Sequence, residues 1–149
     1  MITRIEALHY RCLRHVDRKL EAFQLLVGPN ATGKTTFLDV ISFLGDLVLH
    51  GVEGAVEARS ANVQDLMWQR KGDSFEMAIE LAIPDEFRKR IEEPRLSQVR
   101  YEIAIAADVA GEGMGLRMER VWLLQPNEDT EPQRELFPEL RSEPPTILL

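Results

Sequence analysis

The sequence predicts an α/β fold: mixed or antiparallel strands gathered around one helix, with a glycine-rich turn leading into that helix. Three observations predict it. Residues Gly28 to Thr35 read Gly-Pro-Asn-Ala-Thr-Gly-Lys-Thr, which fits the phosphate-binding, or Walker A, pattern G-x-x-x-x-G-K-[ST]. The apolar run Phe23-Gln24-Leu25-Leu26-Val27 before it reads as a buried strand, and Thr35 to His50 after it as a helix, so the turn joins strand to helix. From Phe75 onward apolar residues recur at every second position, the period of strands rather than helices.

Each element follows from local pattern. Ile2 to Tyr10 is β-branched and mixed in polarity, and a second strand is expected from Val16 through Leu20, Phe23, Leu25 and Val27 into the turn. The helix carries Phe37, Val40, Ile41, Leu44, Leu47 and Val48 at three- and four-residue spacing, widened by Leu38 and Phe43, so it is expected to be mostly buried. Gly51 can end it, and Gly51 to Asp65 reads as a connector with room for a short helix. Phe75, Met77, Ile79, Leu81 and Ile83 then alternate with Glu76, Ala78, Glu80 and Ala82, a half-exposed strand stopped by Pro84. One or two helical turns are expected over 85–93, and Pro94 breaks them. Val99, Tyr101, Ile103 and Ile105 alternate again, Gly111 to Gly115 marks a hairpin, and Leu116 to Leu124 returns with a bulge expected near Glu119 and Arg120. Beyond Gln125, five of the eight prolines interleave with acidic residues, which predicts little regular structure. The division expected is residues 1–125 as one folded lobe and 126–149 as a tail or linker.

The turn's residue types point to one kind of chemistry. Gly28 and Gly33 permit backbone conformations closed to residues with side chains, so the chain can wrap a phosphate with its N–H groups turned inward. The helix beginning near Lys34 adds unpaired amides and the positive end of its dipole. Lys34 can reach the β- and γ-phosphates, the Thr35 hydroxyl is placed to coordinate Mg²⁺, and Thr36 offers a further hydroxyl. A plain connecting turn is the alternative. A cation in a helix's first turn opposes the dipole, which argues against it unless an anion is bound.

Composition narrows the partners. With 149 residues, 44% of them hydrophobic, the chain can bury a core. A formal charge of -7 argues against general nucleic-acid binding by this chain alone, although a local basic patch is compatible with it. Cys12 is the only cysteine, so no intrachain disulfide can form and a reducing cytoplasm is the expected compartment. No signal-type segment is evident, and no stretch approaches the apolar length that crosses a bilayer, so no membrane association is expected.

With a loop beginning Gly-Pro-Asn, a strand pair before it and antiparallel strands after it, the chain resembles the ABC-type AAA ATPases of the SMC, RecF and OLD-like group. Leu8-His9-Tyr10-Arg11-Cys12-Leu13 is similar to that group's early N-F-R-S-F segment, and Phe37-Leu38-Asp39-Val40-Ile41 to the L-L-D-A-I that follows its loop. The likeness covers residues 1–125 and implies a P-loop NTPase N-terminal lobe whose second lobe is missing. By the resemblance, Gly28, Pro29, Asn30, Ala31, Thr32, Gly33, Lys34, Thr35 and Thr36 surround ATP, with Thr35 on Mg²⁺. Arg11 is then a nucleotide-side or DNA-responsive arginine, or a solvated charge at a strand end. In that group a glutamine after the antiparallel strands senses the γ-phosphate. Gln125 is the candidate by position, with Gln69 as an alternative and an ordinary polar role open for both.

The departures bear on mechanism. A complete site of this group also has an L-S-G-G signature, an apolar strand ending in Asp-Glu (Walker B), and a later His. Leu96-Ser97-Gln98 lacks the glycines, and Ile103 to Asp108 ends an apolar run in aspartate without a following Glu and reads as an antiparallel strand entering a hairpin. The cradle is therefore present without its catalytic base, and hydrolysis needs an oriented water and charge stabilisation that the loop alone lacks. Two functions follow as expectations. One is the ATP-binding lobe of an ATPase that in full-length form dimerises head to tail and acts on DNA or in defence. The other is a non-hydrolysing nucleotide-binding module that regulates a partner interaction.

Overall fold

The structure is a computed structural model that describes residues 1–93, 95–107 and 113–125. Asp108, the tip of the predicted hairpin and the proline-rich residues 126–149 lie outside these. Five strands form one sheet: β1 (Ile2–Tyr10), β2 (Leu13–Lys19), β3 (Ser74–Ala82), β4 (Gln98–Ala107) and β5 (Met114–Leu124). Their order across the sheet is β2-β1-β3-β4-β5, and each neighbouring pair is antiparallel. The sheet is therefore wholly antiparallel rather than mixed. A short turn between Tyr10 and Leu13 joins β1 to β2, whereas the chain reaches β3, on the other side of β1, by way of the helix.

A single long helix, α1 (Lys34–Glu57), packs on one sheet face. Its residues Phe37, Val40, Phe43, Leu44 and Leu47 share a core with Ile5 and Ala7 of β1, Phe75 and Met77 of β3, and Ile103 and Ile105 of β4. The rings of Tyr10, Phe43 and Phe75 meet pairwise at 5.1 to 5.8 Å between centroids, in tilted and edge-to-face geometries that suit the aromatic quadrupole. The helix crosses the sheet end from the β1–β2 turn, where the Cys12 thiol meets Thr36, to the start of β5, where Val56 and Ser60 line a groove with Met114. Gly51 breaks its regularity with φ 73° and ψ -178°, so the helix turns a corner there and resumes to Glu57, as the predicted stop and short second helix require.

The structure corrects several expectations. Residues 23–27 form no strand: Phe23 is 83% and Val27 81% exposed, and β2 ends at Lys19. A strand needs a ladder partner, and none reaches this segment among the described residues. The expected half-exposed face of β3 is buried, with Glu76 and Glu80 among the residues least exposed to solvent. The bulge sits at Arg117, because Ala104 pairs with Met118 and Ile105 with Leu116, while Glu119 and Arg120 stay in register. The helical turn after Pro84 is confined to α2 (Asp85–Arg88). Finally, α1 is long and apolar enough to cross a bilayer by length and composition, with mean hydropathy 1.4. In the fold that apolarity is divided between the side packed on the sheet and a second, bare side carrying Leu38, Val48 and Leu49.

The sheet face away from α1 is ionic. Arg100 on β4 donates to both carboxylate oxygens of Glu6 at 2.6 and 2.7 Å, to Glu80 at 2.8 Å, and to Glu102. Burial by itself lowers the guanidinium pKa, but these carboxylates overcompensate and hold Arg100 firmly charged. Arg4 extends the network from Glu6 to Asp17. Strand alternation places these groups together, since Glu6, Glu80 and Arg100 occupy neighbouring positions of β1, β3 and β4.

Candidate functional site

The glycine-rich loop lies at the mouth of α1, fully on the surface. Gly28, Pro29, Asn30, Ala31, Thr32 and Thr35 are exposed. Gly33 is the helix N-cap with φ 87°, and a Cβ there would stand 3.2 Å from Leu13 Cδ2 and 3.3 Å from Cys12 Sγ. Only glycine fits both the left-handed conformation and the close approach to the β1–β2 turn. Gly28 differs: it has no positive φ, and a Cβ would meet the Thr32 hydroxyl at 3.3 Å. The left-handed conformation expected of it is found instead at Ala31, with φ 64°.

Lys34 reaches back over the loop. Its ammonium donates to the carbonyls of Gly28 at 2.7 Å and Pro29 at 2.5 Å and lies 3.3 Å from the Thr32 hydroxyl, which itself donates to Pro29 O at 3.0 Å. The cation thus sits inside the turn, where a phosphate oxygen can replace a carbonyl as its partner. No side chain caps α1 and no acidic residue occupies its first turn, so its amides and dipole are uncompensated by the protein's own groups. The loop fits a polyphosphate and, through the exposed Thr35 hydroxyl, an accompanying Mg²⁺.

Thr36 is engaged by the neighbouring turn. Its hydroxyl accepts from the Cys12 thiol at 3.2 Å, which ties the helix start to the β1–β2 turn. Arg11, in that turn with φ 52°, donates to Asp39 Oδ2 at 3.3 Å. Asp39 is the hub of this corner: Tyr10 OH donates to it at 2.6 Å and Arg59 Nε at 2.9 Å. Arg59 also binds Asp46 and the Ala55 carbonyl, each at 2.8 Å, so one guanidinium ties the two halves of α1 together across Gly51. Burial lowers its pKa, and Asp46 and Asp39 more than restore it. Burial pushes the Tyr10 phenol up, and its bond to Asp39 pushes it further.

The connector after α1 folds back onto the same corner. Arg11 N–H donates to Leu66 O at 2.9 Å, and Tyr10 pairs with Met67 in an isolated bridge. Two short 3-10 turns, Val63–Leu66 and Trp68–Arg70, follow one another there. They close one side of an open cavity of about 550 Å³ lined by Arg11, Cys12, Thr36, Trp68, Gln69 and Arg70. A second groove, about 460 Å³, runs beside the glycine-rich loop over Leu20, Leu26 and Phe37, with Arg18 and Lys19 at its rim.

The two glutamines separate. Gln125 follows β5 at the sheet end where Leu124 pairs with Gln98 and Gln98 with Ala82, opposite the end holding the loop. Gln69 lines the Arg11 cavity. Position in the chain favours Gln125; antiparallel strand direction carries it away, while the connector after α1 brings Gln69 in. Sequence reasoning also missed Arg59 and Trp68, and it gave Asp39 no role. The signals were slight: an aspartate inside the apolar run Phe37–Ile41, and a tryptophan in an otherwise aperiodic connector.

Comparison with known proteins bears on the family. A family model described as "AAA domain, putative AbiEii toxin, Type IV TA system" matches residues 23–121. The chain belongs to this AAA domain family. It is also similar to the OLD nuclease of Thermus scotoductus (strain ATCC 700910 / SA-01), with 42% identity over 48 residues. That segment is 32% of the chain and 9% of the length of the OLD nuclease. The two findings support the resemblance to AAA-type ATPases of the SMC, RecF and OLD-like group, an ATPase-type, nucleotide-binding family.

Proposed function

We propose that this AAA domain binds ATP with Mg²⁺ through residues Gly28 to Thr36, as the N-terminal lobe of an ABC-type ATPase. The observation that carries this reading is Lys34, whose ammonium lies within the loop at an uncapped helix mouth beside an exposed Thr35. A bound nucleotide and its metal supply concentrated charge. The chain supplies the anion nest, the Lys34 cation and the Thr35 hydroxyl, which bind and orient it. Arg11, fixed by Asp39 next to Thr36, adds charge on the nucleotide side.

Two further features support a lobe that works within a larger domain. The bare side of α1 and the exposed run Phe23 to Val27 both leave apolar side chains at the surface, which a further layer of structure would cover. In full-length form we propose a cytoplasmic homodimer that hydrolyses ATP in DNA-related or defence work; of this, the likeness to an OLD nuclease supports only the DNA-related or defence setting. We assign residues 126–149 to a tail or linker outside the lobe.

One observation favours a second reading for the chain by itself. The run Ile103 to Ala107 lies in β4, antiparallel to both neighbours, which is unlike a parallel strand delivering a catalytic carboxylate beside the loop. Binding without turnover is the outcome this favours. The test is calorimetric titration of Mg-ATP into wild-type and Lys34→Ala chains, with phosphate release measured in parallel. Saturable binding lost in Lys34→Ala is expected, and equal affinity in both chains would remove the loop from the site. Turnover by the chain alone would overturn the second reading.

A further inference from the structure

We infer that Trp68 is a stacking platform for the purine base of the nucleotide whose phosphates occupy the glycine-rich loop; this rests on the ATP-binding reading above. The cavity provides the path. Thr36, the last hydroxyl of the loop segment, lines it together with Arg11 and Trp68. Its volume of about 550 Å³ falls in the range of small-molecule sites, which is roughly 300–1,000 Å³. A nucleotide anchored by its terminal phosphates at Lys34 and Thr35 directs its nucleoside past Thr36, into this space.

Trp68 is built to meet a base there. His9 stacks on the indole at 5.9 Å between centroids with 26° between planes, and the Arg14 guanidinium lies 5.7 Å from the ring centre. Leu8 pairs with His15 and Tyr10 with Leu13, so His9 and Arg14 stand opposite each other on β1 and β2 and approach the indole together from the hairpin. They fix the ring from that side, while Trp68 lines the cavity. A positioned indole flanked by a cation is the kind of surface on which bases stack, and stacking tolerates any base but rewards the larger purines.

The backbone around it is strained in the manner of a binding site. Gln69 and Arg70 are consecutive non-glycine residues with φ 54° and 56°. Such conformations cost energy and persist where the surroundings fix them. Here Lys71 N–H on Trp68 O at 3.0 Å and Arg70 N–H on Met67 O at 3.1 Å hold the turn that seats Trp68.

The experiment compares two magnesium-loaded ligands, ATP and inorganic tripolyphosphate, by calorimetry on the full chain and three variants. Wild type is expected to bind ATP at least about ten-fold tighter than tripolyphosphate, the size of effect that stacking one base gives. Trp68→Ala loses about ten-fold for ATP with tripolyphosphate unchanged, Trp68→Phe recovers most of it, and Lys34→Ala loses both ligands. If ATP binds no tighter than tripolyphosphate, or Trp68→Ala leaves ATP affinity intact, the base platform is overturned while the phosphate loop stands. Equal loss of both ligands in Trp68→Ala would make the indole structural and also overturn it. If a single-stranded DNA oligomer loses affinity in Trp68→Ala while ATP does not, the platform serves a nucleic-acid strand instead. Wild type binding neither ligand would overturn the ATP reading and the platform with it.

Discussion

The two faces of the sheet solve the same burial problem in opposite ways. Under α1, the strands present Ile5, Ala7, Phe75, Met77, Ile103 and Ile105 to an apolar helix side. Behind them, alternate positions of the same strands carry Arg4, Glu6, Glu80, Arg100 and Glu102, buried as an ionic network. The apolar face gains from area removed from water and tolerates imprecision, whereas the ionic face is held only while every charge keeps its partner. The difference teaches where tolerance lies. The glycine-rich loop and the Arg11 corner stand at the edge of the apolar face, and the ionic network lies on the other side of the same strands.

Substitutions of matched size can break that comparison. Arg100→Met removes the cation shared by Glu6, Glu80 and Glu102 and leaves carboxylates buried without it, at an expected cost of about 3–5 kcal/mol in urea unfolding. A cost below about 1 kcal/mol would mean that the ionic face is dispensable. Next in size is Asp39→Ala, which strips the buried Tyr10 hydroxyl and Arg59 of their shared acceptor. A loss of about 2–3 kcal/mol is expected, together with weaker nucleotide binding as Arg11 is released; unchanged binding would separate Arg11 from the site. Met77→Leu, a volume-conserving change on the apolar face, is expected to cost less than about 1.5 kcal/mol. If it rivals Arg100→Met, the two faces do not differ as described.

The smallest expected effect is alkaline. Burial pushes both tyrosines of the chain upward, with Asp39 adding to the shift at Tyr10 and Glu119 at Tyr101. A raised folded-state pKa means that the stabilisation is fully present below the ordinary tyrosine value of about 10 and is lost as pH rises from there toward the folded value. Unfolding midpoints compared between about pH 8 and pH 11 are expected to fall less in Tyr10→Phe than in wild type. Parallel declines would show that Tyr10 does not couple folding to its proton.

Much of the architecture was legible in the sequence because it rests on local period. The strand alternation from Phe75, the helix stripe from Phe37 and the stop at Gly51 are short-range patterns, and the structure follows them within a few residues. The Phe23–Val27 run was misread for a physical reason. Its pattern reports apolarity, while strand formation depends on a partner's backbone, which no local signal encodes. Glu76 and Glu80 misled similarly, since alternation marks which residues share a face and leaves open whether that face meets solvent or Arg100.

By itself the sequence determined the loop, because Gly33 and Lys34 act through main-chain geometry and a charge at fixed spacing from a helix start. The tertiary structure alone decided the neighbourhood. Antiparallel strand direction sent Gln125 to the far end of the sheet, and the return of the connector over the β1–β2 turn set Gln69 and Trp68 beside Arg11 and Thr36. Contacts across such chain separations are paid for by the whole fold's burial, so no window of neighbouring residues contains them.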